Sequence, residues 1–365
     1  MSIASSLLAA GPSTAADQIV LRDLTILSDR RVDRFSDDEI RLDNGQILTW
    51  DQIEKAQIAG DQKKFDQFLE ELGTPLYRIR QRLTVGDYQA LLRHAEALYP
   101  RFAQRRSKTA YMVAQAVMWG RLASGQRALA VEPYLRCNQM LGAAGNQSME
   151  IPGKRRLQFD AQTGLCKEFL PLWFDRGTAA EALKQVTAFI EQTPDACPAA
   201  GLYQTGLKLT LSDPQATSQM ANFSGNHRIA DQLAAIYRLQ QEVLAGQGGV
   251  AVIAIETSLT QLDASLRPLA FYWLGRAYLL KKTPDEQRQG LLFLLKIPAL
   301  YQKTFPHVAA AGLAHAAHTL HDSGNQRASI ALRRELVSRY PGSWHAVRQT
   351  RVTDAETQPE KSNDD

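Results

Sequence analysis

Cysteine is scarce in this chain. The three that occur, Cys137, Cys166 and Cys197, form no C-x-x-C pair and have no histidine at ligand spacing, which argues against a structural zinc site. An odd count excludes complete internal pairing. The three read as small buried hydrophobes in helices, with one disulfide open if the chain is exported. Long apolar runs are also missing. The stretch around Leu291–Leu295 falls far short of the ~20 residues that span a bilayer. Charge of one sign is not in excess: 42 Lys and Arg against 38 Asp and Glu leave +4 over 365 residues. The basic runs are short and scattered (Arg30-Arg31, Arg105-Arg106 with Lys108, Lys154-Arg155-Arg156, Lys281-Lys282, Arg333-Arg334), and no stacking-aromatic motif accompanies them. That pattern speaks against a nucleic-acid face and for solvated helix surfaces. Catalytic signatures are absent as well: no G-x-S-x-G elbow, no H-E-x-x-H, no phosphate loop and no G-x-G-x-x-G after a strand. Gly246–Gly249 is Gly-rich but lies between helices. The carboxylate pairs Asp37-Asp38 and Glu70-Glu71 are adjacent in sequence, so on a helix they project ~100° apart and read as solvated charge rather than acid/base pairs.

Three kinds of segment are present. The first, MSIASSLLAAGPSTAA, carries a short apolar run, a Gly-Pro break and small residues before Asp17. Residues 1–16 therefore form a candidate signal peptide that lacks the basic n-region, and the expectation is an exported or periplasmic protein, with a cytoplasmic one as the alternative. Residues 17–60 form a small β-rich module. Gln18–Leu27 and Val32–Phe35 are rich in strand formers, and Glu39–Trp50 contains Asn44-Gly45, which fits a two-residue type I′ turn. Such a turn sets Leu42 opposite Ile47 and Ile40 opposite Thr49. From Asp51 onward strand signals nearly vanish. Apolar residues recur at three- and four-residue spacing along 63–72, 88–99, 108–123, 126–141, 165–175, 179–192, 199–211, 227–244, 249–262, 268–280, 288–301, 307–322 and 326–340, which predicts paired antiparallel helices.

The turns repeat. Gly86, Gly125, Gly177, Asp213, Gly246, Lys282 and Gly324 stand 39, 52, 36, 33, 36 and 42 residues apart, close to the ~34-residue period of helix–turn–helix solenoids. In Leu269–Tyr278, the residues Phe271, Leu274, Gly275 and Tyr278 follow a large, large, small, large pattern. The next unit gives Leu313, Ala317, Leu320, Gly324, Ala328 and Leu332 and closes on Tyr340-Pro341. Gly86-Asp87-Tyr88 to Tyr99-Pro100 has the same turn-to-proline layout. On these residues the chain resembles the tetratricopeptide-repeat proteins, at architectural level over some 280 residues and at motif level over some 70. The resemblance implies a mainly α fold: a right-handed α-solenoid over 61–346, preceded by the β-rich segment; the tail at 347–365 has too little apolar surface to order itself and is expected to be disordered. The resemblance also implies an extended surface that binds a protein or peptide partner, and no chemistry or cofactor.

Two stretches stand outside that pattern. The insertion 142–164 reads as a loop, or as a small hairpin with Leu157–Phe159 as a strand and 160–164 as the turn. Its Lys154, Arg155 and Arg156 are the candidate partner-binding residues, a basic rim contact for an acidic partner. His315, His318 and His321 with Asp322 are the densest ligating cluster, and His307 and His345 lie in the same region. Spacing of i, i+3, i+6 spreads three imidazoles over ~120° of a helix, so two neighbours could share a metal and three would strain to. A non-catalytic interaction scaffold in a bacterial envelope is thus the leading expectation. A metal-dependent factor or enzyme using these histidines and an RNA-binding solenoid are the alternatives.

Overall fold

The computed structural model describes residues 17–143, 151–153, 155–221, 228–247, 249–281 and 283–348. The candidate signal peptide, Lys154 and the tail from 349 lie outside the described residues. The chain forms two compact units that divide between Ala116 and Val117, with 151–153 belonging to the first and 155 onward to the second.

The first unit opens with six strands: β1 (Asp17–Leu21), β2 (Ile26–Arg30), β3 (Val32–Phe35), β4 (Ile40–Leu42), β5 (Ile47–Leu48) and β6 (Ile53–Gln57). They make two antiparallel three-stranded sheets, in the orders β2-β1-β6 and β3-β4-β5. The apolar run 18–27 is two strands rather than one, because Leu24 takes φ 71° in a turn where Leu21 N donates to Thr25 O at 2.8 Å. β6 escaped the sequence reading. It buries only Ile53 and shows Glu54, Lys55 and Gln57 to solvent, as an edge strand does.

The Asn44-Gly45 turn forms, but not as type I′. Gly45 alone has positive φ (82°), Gly45 N donates to Leu42 O, and Leu42 N donates to Gln46 O, both at 2.9 Å. This is a three-residue loop ending in a glycine bulge. The register is Ile40↔Leu48 and Arg41↔Ile47, so Leu48 is buried and Ile47 is 49% exposed. A one-residue slip exchanges faces, and here burial of Leu48 beside Ile40 decides it.

Helices α1 (Gln62–Phe68), α2 (Thr74–Val85) and α3 (Tyr88–Phe102) complete this unit, with a π-helical turn at Leu69–Gly73 joining the first two. Trp50 is fully buried among Phe35, Phe65 and Phe68, and its indole N–H donates to Ser36 O at 2.7 Å. Asp37 and Asp38 are not solvated charge. Asp37 pairs with Arg101 and Arg105, and Asp38 accepts from Arg105 Nη1 at 2.9 Å and Ser107 Oγ at 2.6 Å, tying the β3–β4 turn to α3. The buried Asp51 carboxylate pairs with Arg80 of α2.

Helix α4 (Lys108–Ala123) contains the division between units. In the second unit follow α5 (Val131–Ala143), α6 (Arg176–Gln192), α7 (Pro198–Thr210), α8 (Ala216–Ala221), α9 (Arg228–Leu244), α10 (Val250–Ser258), α11 (Arg267–Leu279), α12 (Pro284–Tyr301), α13 (Pro306–Asp322) and α14 (Gln326–Arg339). Among the described residues no helix is long and apolar enough to cross a membrane.

One turn recurs between these helices. At Gly125, Ser212, Gly246 and Gly324 the chain enters the left-handed region, with φ of 74°, 64°, 74° and 82°. The following N–H (Gln126, Asp213, Gln247, Asn325) reaches back to Arg121, Lys208, Glu242 and Leu320 O, at 2.8–2.9 Å each time. This Schellman closure satisfies carbonyls that the helix end leaves open and reverses the chain in few residues. It is the physical content of the repeat. Gly177, expected as a turn, lies instead in the first turn of α6.

From α5 to α8 and again from α9 to α14 each helix packs on the next, and the odd-numbered helices from α5 to α13 touch in succession. Helices α11 and α12 approach closely. There a Cβ added at Gly275 would meet Leu294 Cγ at 2.8 Å, and one at Gly290 would meet Gly275 O at 2.8 Å. Gly275 and Gly290 thus let the two backbones meet.

Candidate functional site

The helix expected at 165–175 does not form. Only Lys167–Phe169 make a 3-10 turn; Cys166 and Leu170 on either side of it are extended, Pro171 and Phe174 lie in bends, and Leu165, Cys166, Phe169, Leu170, Leu172 and Trp173 are buried. Buried main chain needs hydrogen-bond partners. Here side chains from alternate helices supply them. Tyr134 Oη of α5 donates to Gly164 O at 3.1 Å and Asn138 Nδ2 to the same oxygen at 2.8 Å. Tyr203 Oη of α7 donates to Phe169 O, and Tyr237 Oη of α9 to Pro171 O. Arg127, between α4 and α5, donates through Nη2 to Leu170 O at 2.9 Å. Burial pushes the phenols of Tyr134, Tyr203 and Tyr237 well up, so each stays a neutral O–H donor. Gly206 of α7 makes room for Tyr237, since a Cβ there would overlap the phenol oxygen.

The stretch before this segment is a small turn. Phe159 and Cys166 bridge antiparallel, and Asp160 Oδ1 accepts from Thr163 N at 2.8 Å and Thr163 Oγ1 at 2.7 Å, as the hairpin reading of 160–164 expects. Of the basic trio ahead of it, Arg155 and Arg156 are exposed, and the Arg155 guanidinium lies 5.2 Å from the Trp119 ring centre. All three cysteines are free. Cys137 lies in α5 as expected, Cys166 in the extended segment, and Cys197 caps α7; burial raises all three thiols.

At its far end the segment brings Phe174 against α11 and the C-terminal turn. Phe174 packs edge-on against Tyr272 of α11 at 4.7 Å and lies 6.0 Å from the His345 ring; His345 meets Trp344 at 4.8 Å, and Tyr272 meets His315 of α13 at 5.8 Å. Arg276 stacks over Trp273 at 5.1 Å, and Arg127 over Phe169 at 4.4 Å and Trp173 at 5.1 Å. Asp175 caps α6 by accepting from Thr178 N at 2.8 Å.

The histidines do not divide as the i, i+3, i+6 spacing suggested. His318 pairs with Asp322 at 3.3 Å and His321 contacts Gln326 at 2.9 Å, both at the surface, while His315 turns inward. Among the described residues no three ligating side chains converge on a point that could hold a metal. His307 and His315 both stand on α13, about two turns apart, and His345 lies in the C-terminal turn after α14. Burial and the nearby Arg127 and His345 hold His307 far below the usual imidazole value. Burial, then Arg276, brings His315 to about 3, and burial brings His345 to about 4 although Asp175 opposes it. Burial likewise draws Arg127 down to about 10. Yet His307, His315, His345, Arg127 and Arg276 each keep part of their surface accessible.

No family model, no curated protein and no solved structure matches the chain. What is shown is a mostly helical protein, with a small β-rich start, whose helices pack on their neighbours as those of a helical-repeat fold do.

Proposed function

We propose that the protein is a non-catalytic interaction scaffold: a right-handed tetratricopeptide-like array that binds a protein or peptide partner. The observation that carries this is the row of alternate helices α5, α7 and α9, whose tyrosines hold an extended stretch of main chain by its carbonyls. That is how such a surface would hold a peptide, and here the chain's own 164–174 fills that part of it. The partner therefore meets other surface, and the exposed Arg155 and Arg156, with Lys154 beside them in sequence, form the basic contact for an acidic partner. Export to the envelope belongs to the same reading and is tested by mass spectrometry of the mature N-terminus. For the scaffold role, charge reversal of Lys154, Arg155 and Arg156 to Glu should reduce recovery of a specific partner in affinity capture. Unchanged recovery removes the basic contact, and a failure to capture any partner removes the scaffold reading.

A further inference from the structure

We propose that a cavity in the first unit, lined by Asp51, Arg80 and Lys108, binds a small aliphatic amino acid by its ammonium and carboxylate groups. The inference goes beyond the partner reading and does not depend on it.

The whole lining belongs to one unit. Thr49 and Asp51 come from the turn between β5 and β6, Arg80 from α2, and Lys108, Thr109 and Met112 from the start of α4. Ile151 and Pro152 complete it, and Gly153 seats that stretch on α2, where a Cβ would meet Leu83 O at 2.9 Å. The empty space is about 210 Å³ with its open mouth included, and its enclosed part admits about one water-sized group.

Charge decides what fits. The Asp51 side chain is fully buried; Arg80 Nε donates to its Oδ2, while Oδ1 has no donor. A carboxylate oxygen shut off from water and left unpaired is costly, so a donor seated beside it is stabilising. The threonines do not supply one: Thr49 Oγ1 donates to Gln52 Oε1 and Thr109 Oγ1 to Asp38 O. An ammonium group is about the size of a water molecule and carries three donors. The other sign is offered by the cations. Lys108 is exposed and has no carboxylate at ion-pair distance among the described residues, and Arg80 engages Asp51 through Nε alone. Lys108 also opens α4, and a helix N-terminus favours a negative group. A bare metal ion would meet two cations here, and a bare carboxylate would meet Asp51; a zwitterion answers both. Met112, Ile151 and Pro152 leave apolar surface for a short side chain.

The test is titration calorimetry of the full chain with L-alanine, propionate and L-alaninamide. Alanine should saturate with a Kd of about 1 mM or below. Propionate lacks the ammonium and alaninamide lacks the carboxylate, so each should bind at least about tenfold more weakly. Lys108→Gln, at an exposed position, should weaken alanine about tenfold and leave the melting temperature unchanged. Asp51→Asn should abolish binding. No saturable binding of alanine, equal binding of propionate, or undiminished affinity in Lys108→Gln would each overturn the proposal. So would equal binding of alaninamide, which would point to a peptide N-terminus instead of a free amino acid. The three-ligand comparison on the unmodified chain decides it even if Asp51→Asn does not fold.

Discussion

The second unit has two halves built on different principles. In the back half, α11 to α14, helix lies directly on helix, and glycines at 275 and 290 bring the backbones together. In the front half, an irregular buried segment lies against α5, α7 and α9, its carbonyls bound by their tyrosines. One half is held by van der Waals contact between regular elements. The other is held by directed hydrogen bonds to irregular main chain. The halves also differ in what titrates: the front buries phenols that stay neutral, the back buries imidazoles.

Acid should separate them most strongly. The folded pKa values of His315 and His345 lie near 3 and 4, below the unfolded value of about 6.5, so the unfolded chain binds more protons between those limits. Stability is therefore unaffected above pH 6.5, falls as pH drops toward 4, and levels off below about 3. The loss is on the order of several kcal/mol. Calorimetric unfolding from pH 7.5 to 4 should show it, and His345→Gln should flatten the curve. A flat curve for the unmodified protein would mean these rings are hydrated.

Gly206→Ala comes next. It forces Tyr237 off Pro171 O, combining overpacking with an orphaned carbonyl, at about 4 kcal/mol. Removing the hydroxyl as well, in Gly206→Ala with Tyr237→Phe, should recover part of that loss. Failure to recover would place the clash elsewhere. Gly275→Ala in the back half should cost about 2 kcal/mol, with no rescue by removing any hydroxyl. Tyr203→Phe strips Phe169 O of its donor at about 1–2 kcal/mol, read from denaturant midpoints. The smallest effect is a gain: Ser212 holds φ 64° where the equivalent turns have glycine, so Ser212→Gly should stabilise by under about 1 kcal/mol.

The same contrast explains what could be read from the residues. Where packing is helix on helix, it leaves a periodic trace. Phe271, Leu274, Gly275 and Tyr278 show it, and the ends of α9, α11, α13 and α14 fall within two residues of the expected limits. Residues 165–175 also carry closely spaced apolar side chains, because a fully buried strand-like stretch and a buried helix look alike in hydrophobicity. What distinguishes them lies elsewhere in the chain, in Tyr134, Tyr203 and Tyr237, which look like ordinary core aromatics until their hydroxyls are placed. The Asn44-Gly45 loop was legible as a turn, but its register depended on whether Asn44 also took positive φ. The histidines were conspicuous, but which of them turn inward (His307, His315, His345) and which stay at the surface (His318, His321) depends on packing that their spacing does not carry.

The threaded segment also carries a consequence for synthesis. Pro171 waits 66 residues for Tyr237, and Phe169 waits 34 for Tyr203. A nascent chain must therefore keep this greasy stretch unpaired on the ribosome until α9 has emerged, while α11 and α12 can close as soon as both are made. Contacts so distant along the chain are slow to form. The front half, although made first, should be the last to lock, and the interval before α9 arrives is when this chain is most in need of a chaperone.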